Sequence, residues 1–178
     1  MKPYEFTIIA SGLDPTAPDF EERLFEANCD DATLAFVKGG IVVEFQREAR
    51  NFSHALASAI QDVMRAGATI EHIEPDYLVS LSDIADRCSL SRSALSLFAK
   101  GERGEKFPSP IARITSESPL WDWVHVARWM FHRKTVSLAT LVQAKIVRDA
   151  NRAIVETSGR IEHSRFGQRL FHTPDCPH

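Results

Sequence analysis

Apolar and polar positions alternate from the start of the chain. Over residues 4–9, Tyr4, Phe6 and Ile8 share one face, the period-two pattern of a half-buried strand. Asp14-Pro15 and Pro18 punctuate a loop. The spacing turns helical over residues 19–28, where Phe20, Leu24 and Ala27 share a face. Residues 32–37, ATLAFV, predict a strand, and Gly39-Gly40 a tight hairpin turn that needs positive φ. The return strand is expected over residues 41–46, with Ile41, Val43 and Phe45 facing one way. A helix capped by Asn51 or Ser53 should run to about residue 65, burying Phe52, Leu56, Ile60, Val63 and Met64, and Gly67 ends it. Residues 69–73 give a last strand, closed by Glu74-Pro75-Asp76.

This order, β-α-β-β-α-β, resembles the split βαβ, ferredoxin-like unit, with two helices on one face of a four-stranded antiparallel sheet. That plan serves many purposes and names none of them. Ligand sensing, partner binding and dimerisation are all open to it. His54 and His72 fall within it, and each reads as a surface or partly buried histidine, not a catalytic base.

Residues 81–100, LSDIADRCSLSRSALSLFAK, predict two short helices with a tight joint. Ser82 is the expected first cap and Asp83 the acid that a helix amino end favours. Ile84, Ala85 and Cys88 form one apolar face; Ala94, Leu95 and Phe98 form another after a second cap, Ser91. Ala85 is small where two helices must cross, and Leu90 is the apolar residue in the joint. This is helix-turn-helix spacing. Ser89 stands where such joints commonly carry Gly, so some strain or a variant turn is expected there. The outward face of the second helix holds Ser91, Arg92, Ser93, Ser96, Leu97 and Lys100, with no acid, a suitable set for base edges and phosphates.

Gly101 ends that helix. Arg103, Lys106, Phe107, Pro108 and Pro110 follow, then a β-like run over residues 111–114 that includes Arg113, a polar turn over 115–118 and a second short strand over 120–123. A helix with Val126, Trp129 and Met130 completes the series. Over residues 78–130 the chain resembles the excisionase-like and MerR-like winged helix-turn-helix regulators. The resemblance is carried by Ser82-Asp83-Ile84-Ala85, Ser91-Arg92-Ser93, the Phe107-Pro108 pair, Trp121-x-Trp123 and Ala127-x-Trp129-Met130. It implies a DNA-binding regulator that contacts the duplex through Ser91, Arg92, Ser93, Ser96, Lys100, Arg103, Lys106 and Arg113.

Residues 134–157 predict one long helix. Val136, Ala139, Val142, Ile146, Ala150 and Ile154 make its apolar stripe, with Lys145, Arg148, Asn151 and Arg152 opposite. A second subunit is the expected cover for that stripe. The tail, 159–178, is polar. His172, Cys176 and His178 have the spacing of a zinc half-site, but a closed site wants four ligands and no second Cys/His pair is nearby, so neither a metal nor another cofactor is expected.

Composition changes this picture at two points. Residues 1–76 hold 6 Lys and Arg against 14 Asp and Glu, a net −8, whereas residues 77–178 hold 15 against 10, a net +5. An acidic half joined to a basic half fits a nucleic-acid reader attached to a module that is not one. Three widely spaced cysteines, Cys29, Cys88 and Cys176, argue for reduced thiols, and no secretory or membrane-spanning apolar run occurs, so a cytoplasmic protein is expected.

The sequence thus predicts an α+β chain. A ferredoxin-like domain over 1–76 is followed by a winged helix-turn-helix over 77–132, a long helix over 133–158 and a tail. The expected function is sequence-specific DNA binding by a homodimeric repressor, not an enzyme. An antitoxin-like protein, binding its own promoter through the basic half and a partner protein through the acidic half, is the alternative. A hydrolase built on the tail's His and Cys residues is the weakest reading.

Overall fold

A computed structural model describes residues 1–157. The chain is mixed α+β and divides into two compact units, one of residues 1–75 with the segment from 149, the other of residues 76–148. The sequence division placed a separate long helix at 133–158. That helix instead contributes its first half to one unit and its second half to the other.

In the first unit, β1 (Lys2–Ser11), α1 (Phe20–Glu26), β2 (Ala32–Val37), β3 (Gly40–Ala49), α2 (Phe52–Arg65) and β4 (Thr69–Glu74) follow one another. The sheet runs β2-β3-β1-β4 with every neighbouring pair antiparallel. Period-two patterning makes one face of it apolar. Tyr4, Phe6, Ile8 and Ala10 of β1 are buried, as are Ile41, Val43 and Phe45 of β3. Phe6 lies opposite Phe45 across the strands, and the two rings stack 5.4 Å apart. The buried side of α2, including Phe52, Leu56, Ile60 and Val63, packs in the same core. Asn51 caps α2, its Oδ1 accepting the His54 N–H at 2.9 Å. His54 is exposed and His72 half-buried.

The alternation in β3 continues past Phe45 to Arg47, whose side chain is only 9% exposed. Its guanidinium forks onto Asp31, with Nε to Oδ2 and Nη2 to Oδ1 both at 2.8 Å, and Nη1 donates to Asp62 Oδ2 at 2.6 Å. Burial lowers the guanidinium's affinity for its proton, but the Asp31 and Asp62 hydrogen bonds outweigh it, so Arg47 sits above its ordinary value. Beside this group the Cys29 thiol is pushed up to about 12, first by burial and then by the Asp62 charge. It is a protonated, unreactive thiol at neutral pH.

The second unit comprises β5 (Leu78–Val79), α3 (Leu81–Cys88), α4 (Arg92–Ala99), β6 (Trp121–Asp122), α5 (Trp123–His132) and the start of α6 (Leu138–Glu156). Its core joins Val79, Ile84, Ala85, Cys88, Leu95, Phe98, Trp121, Trp123, Val126, Ala127 and Met130. Two expectations fail here. The run 111–114 is not a strand: Ile111 and Ile114 are 47% and 65% exposed, and the only ladder contact in that loop is the Ala112–Leu120 bridge. Residues 121–122 pair with Leu78–Val79 instead of with 111–114, because Trp121 buries its ring in the core while its partner there is Val79.

The stripe assigned to α6 is also rotated. Ala144, Val147, Ala150, Asn151 and Ile154 are buried, whereas Ala139 and Val142 are exposed and Ile146 is half-buried. Asn151, read as solvent-facing, is 2% exposed and hydrogen-bonds both main-chain groups of Ile73, each at 2.8 Å. Of the expected stripe, the chain itself covers Ala150 and Ile154; Val136 and Ile146 are half-buried, and Ala139 and Val142 stay exposed. Residues 158–178, with the expected helix stop at Ser158-Gly159 and the His172, Cys176, His178 set, lie outside the described residues. Among the described residues no helix is long and apolar enough to cross a membrane.

Candidate nucleic-acid interface

The first helix of the pair starts two residues earlier than its sequence suggested. Ser80, not Ser82, is the cap of α3. Its Oγ accepts the Asp83 N–H at 3.3 Å, and the Asp83 carboxylate accepts the Ser80 N–H at 2.7 Å, a reciprocal capping box. The Ser80 N–H holds the Asp83 carboxyl below its ordinary value, with some opposition from burial and further help from the Ser80 hydroxyl and Arg87. Arg87, on the same helix, lays its guanidinium 5.2 Å from the Trp123 ring, and burial lowers its proton affinity.

The joint takes the positive φ that helix-turn-helix spacing calls for. Ser89 has φ 52° and ψ 40°. Its N–H bonds Asp86 O at 3.3 Å and the Leu90 N–H bonds Ala85 O at 2.9 Å, which is the Schellman closure. Leu90 is half-buried against the core. A non-glycine residue in this region costs roughly 1–2 kcal/mol. Glycine offsets part of that relief through its greater unfolded entropy. Ser89→Gly should therefore stabilise the unit by about 0.5–1 kcal/mol. Urea unfolding followed by tryptophan fluorescence reads this directly, because Trp121, Trp123 and Trp129 all lie in this unit. A lower midpoint would show that the Ser89 side chain makes a contribution the backbone argument misses.

Ser91 caps α4, accepting the Ala94 N–H at 3.2 Å, and also accepts a hydrogen bond from the Ser93 hydroxyl at 3.2 Å. Leu95 and Phe98 face the core. On the other side Ser91, Arg92, Ser93 and Lys100 are exposed, Ser96 is half-buried and Leu97 is 38% exposed. The helix carries no acid. Gly101, at φ 74°, ends it, and the Glu102 N–H bonds Leu97 O at 2.9 Å.

Beyond the helix, an aromatic cluster holds the loop of residues 101–110. Phe107 lies 5.2 Å from Trp129 and 6.3 Å from Phe98, edge-on to the first and stacked on the second. Trp129 Nε1 donates to Glu105 O and Trp121 Nε1 to Pro108 O, both at 3.0 Å. These contacts give Phe107-Pro108 its role: it anchors a loop otherwise rich in charge and glycine. Arg103 stacks on Phe98 at 5.4 Å, and Lys106 is exposed. Arg113, also exposed, sits on the separate 111–120 loop.

One cation of this surface was not read from the sequence. Arg133, the carboxyl cap of α5, lies 4.6 Å from the Trp129 ring and 5.2 Å from Phe98. It and Arg103 share the Phe98 ring, so both are held near the end of α4. In sequence Arg133 is one charge in the run His132-Arg133-Lys134, far from the helix pair, and nothing local marks it. Asp122 caps α5 with its side chain on the Val124 N–H at 2.8 Å, and Arg148 donates to its other oxygen at 3.1 Å. The Cys88 thiol is pushed up to about 11 by burial, slightly opposed by Arg87. Among the described residues no group of three or more His, Cys, Asp or Glu side chains is placed to hold a metal ion. Compared with protein-family models, curated proteins and solved structures, the chain finds no match in any of the three.

Proposed function

We propose that this chain is a sequence-specific DNA-binding transcriptional regulator, acting as a homodimeric repressor, with α4 as its recognition helix. The observation that carries the reading is the outer face of α4. A short helix, capped by Ser91, offers Ser91, Arg92, Ser93 and Lys100 to solvent, with Ser96 half-buried beside them and no acid in the helix. The joint before it closes with the left-handed residue that helix-turn-helix geometry requires. In this reading Arg92 enters a major groove and reads base edges, while Lys100, Arg103, Lys106 and Arg133 neutralise phosphates. The loop of residues 111–120, with Arg113, serves as a reduced wing. The strand order of the first unit is consistent with a ferredoxin-like domain, and its acidic composition leaves DNA contact to the second.

The test starts by selecting duplexes from a random pool with the full chain, then titrating selected and scrambled duplexes at several salt concentrations. Arg92→Ala should cost about 1–3 kcal/mol on the selected site and relax base preference. Lys100→Ala and Lys106→Ala should weaken all sequences alike and reduce the salt slope by about one each. Failure to enrich any sequence, with no retardation of duplex at low salt, would reject the reading.

A further inference from the structure

The two edges of the four-stranded sheet are treated differently. At the β4 edge, Asn151 closes the main-chain N–H and C=O of Ile73 with a side-chain amide. At the β2 edge, among the described residues, no strand pairs with the outer side of Ala32–Val37. Edge strands are usually blunted by charge, proline or a bulge, because a free ladder invites another chain. ATLAFV has no charge and no proline, and its pairing with β3 runs without a bulge. Apolar surface flanks this ladder on both faces of the sheet. Phe36, opposite Ile41 on the helix-bearing face, is 54% exposed, and Val37 is 52% exposed.

We propose that β2 pairs antiparallel with β2 of a second copy, joining two sheets into one of eight strands. Charge selects a second copy over an unrelated strand. Asp30 and Asp31 precede the strand and Lys38 follows it, with Asp30 and Lys38 exposed. An antiparallel self-pair lays the acidic start of each strand beside the Lys38 end of the other, twice by symmetry. A parallel pairing would set like charges together, which is unfavourable. Within the paired stretch, about 20 Å long, no charge meets another. The two-fold axis stands perpendicular to the sheet, so the helices of both copies fall on the same side. The proposal deepens the regulator reading and rests on it only for the use made of the dimer.

The experiment is sedimentation of the full chain without DNA over a wide concentration range. Wild type should reach the mass of two chains. Phe36→Lys should raise the dimer dissociation constant roughly tenfold or more while leaving far-UV circular dichroism unchanged, because a charge then lies in the seam. Lys38→Glu should weaken the dimer, and Asp30→Lys combined with Lys38→Glu should restore it. If Phe36→Lys fails to fold, the charge-reversal pair carries the test by itself. A monomeric wild type, a charge reversal without rescue, or a dimer that survives Phe36→Lys but falls to Val142→Lys on α6 would each overturn the proposal. Failure here leaves the DNA titrations untouched, and failure there leaves the mass untouched, so DNA recognition and dimerisation are tested separately, and a monomeric wild type removes only the homodimer from the regulator reading.

Discussion

Arg47→Met should cost the first unit about 3–5 kcal/mol, enough to unfold a marginally stable domain. The wild-type guanidinium uses all its nitrogens: the fork to Asp31, the 2.6 Å bond to Asp62, a 3.2 Å bond to Ser58 Oγ and a 2.7 Å bond to Asn28 O. Methionine fills much of the volume but supplies no donor. Asp62, with a side chain 10% exposed, then keeps only Arg65, which is itself 54% exposed and well screened. A buried carboxylate left in that state is the costly outcome, not the loss of the pair as such. Two controls separate these terms. Arg47→Lys retains the charge but not the planar fork, so it should recover only part of the loss. Arg47→Met combined with Asp62→Leu should recover most of the Asp62 share, because an apolar replacement of a whole buried pair is often neutral. Far-UV circular dichroism in urea measures the change, since the tryptophans all report on the other unit. A loss below about 1 kcal/mol would mean that water already reaches this cluster.

Much of this fold could be read from patterning, and the failures share a cause. Strands with one buried face declare themselves by alternation, so β1 and β3 were legible to within a few residues, whereas β2, with no buried residue, was marked by its apolar run before the Gly39-Gly40 turn. The same alternation pointed at Arg47, which follows Ile41, Val43 and Phe45 at steps of two. An arginine at such a step nonetheless reads as solvent-facing until the acceptors that converge on it, Asp31, Asp62, Ser58 and Asn28 O, are brought together by the fold. β5 is two residues long, too short to carry a period, and it is the partner that takes residues 121–122 away from the expected wing. Ser80 and Ser82 are equally good caps on composition; only the Asp83 carboxylate, reaching back three residues, distinguishes Ser80. The candidate interface was legible where it lies on α4, because a helix displays its outer face at fixed spacing. Arg133 was not, because it reaches Phe98 through tertiary packing.

Asn151→Asp should be among the most damaging single-atom-scale changes in this chain, with a loss of about 3 kcal/mol or more. The native amide matches a strand: Nδ2 donates to Ile73 O and Oδ1 accepts from Ile73 N–H, both at 2.8 Å, at a residue 2% exposed and 78 positions away in the chain. With carboxylates ionised at neutral pH, only Asn or Gln offers a donor and an acceptor side by side. Aspartate keeps the acceptor, removes the donor and sets a buried negative oxygen against the Ile73 carbonyl. Asn151→Ala leaves both main-chain groups without a partner, at about 1–3 kcal/mol each where water cannot reach them. Charge makes the aspartate variant the worse of the two at neutral pH. Protonation gives its carboxyl an O–H that can donate to Ile73 O, so its deficit against Asn151→Ala should shrink, and then reverse, as the pH is lowered. The alanine variant has no such group, and its deficit against wild type should stay level over the same range. Hydrogen exchange gives the local readout: the Ile73 amide should exchange much faster in both variants, while the central strand β1 follows only global stability. An Ile73 amide that stays protected in Asn151→Ala would mean that something other than this side chain closes the β4 edge.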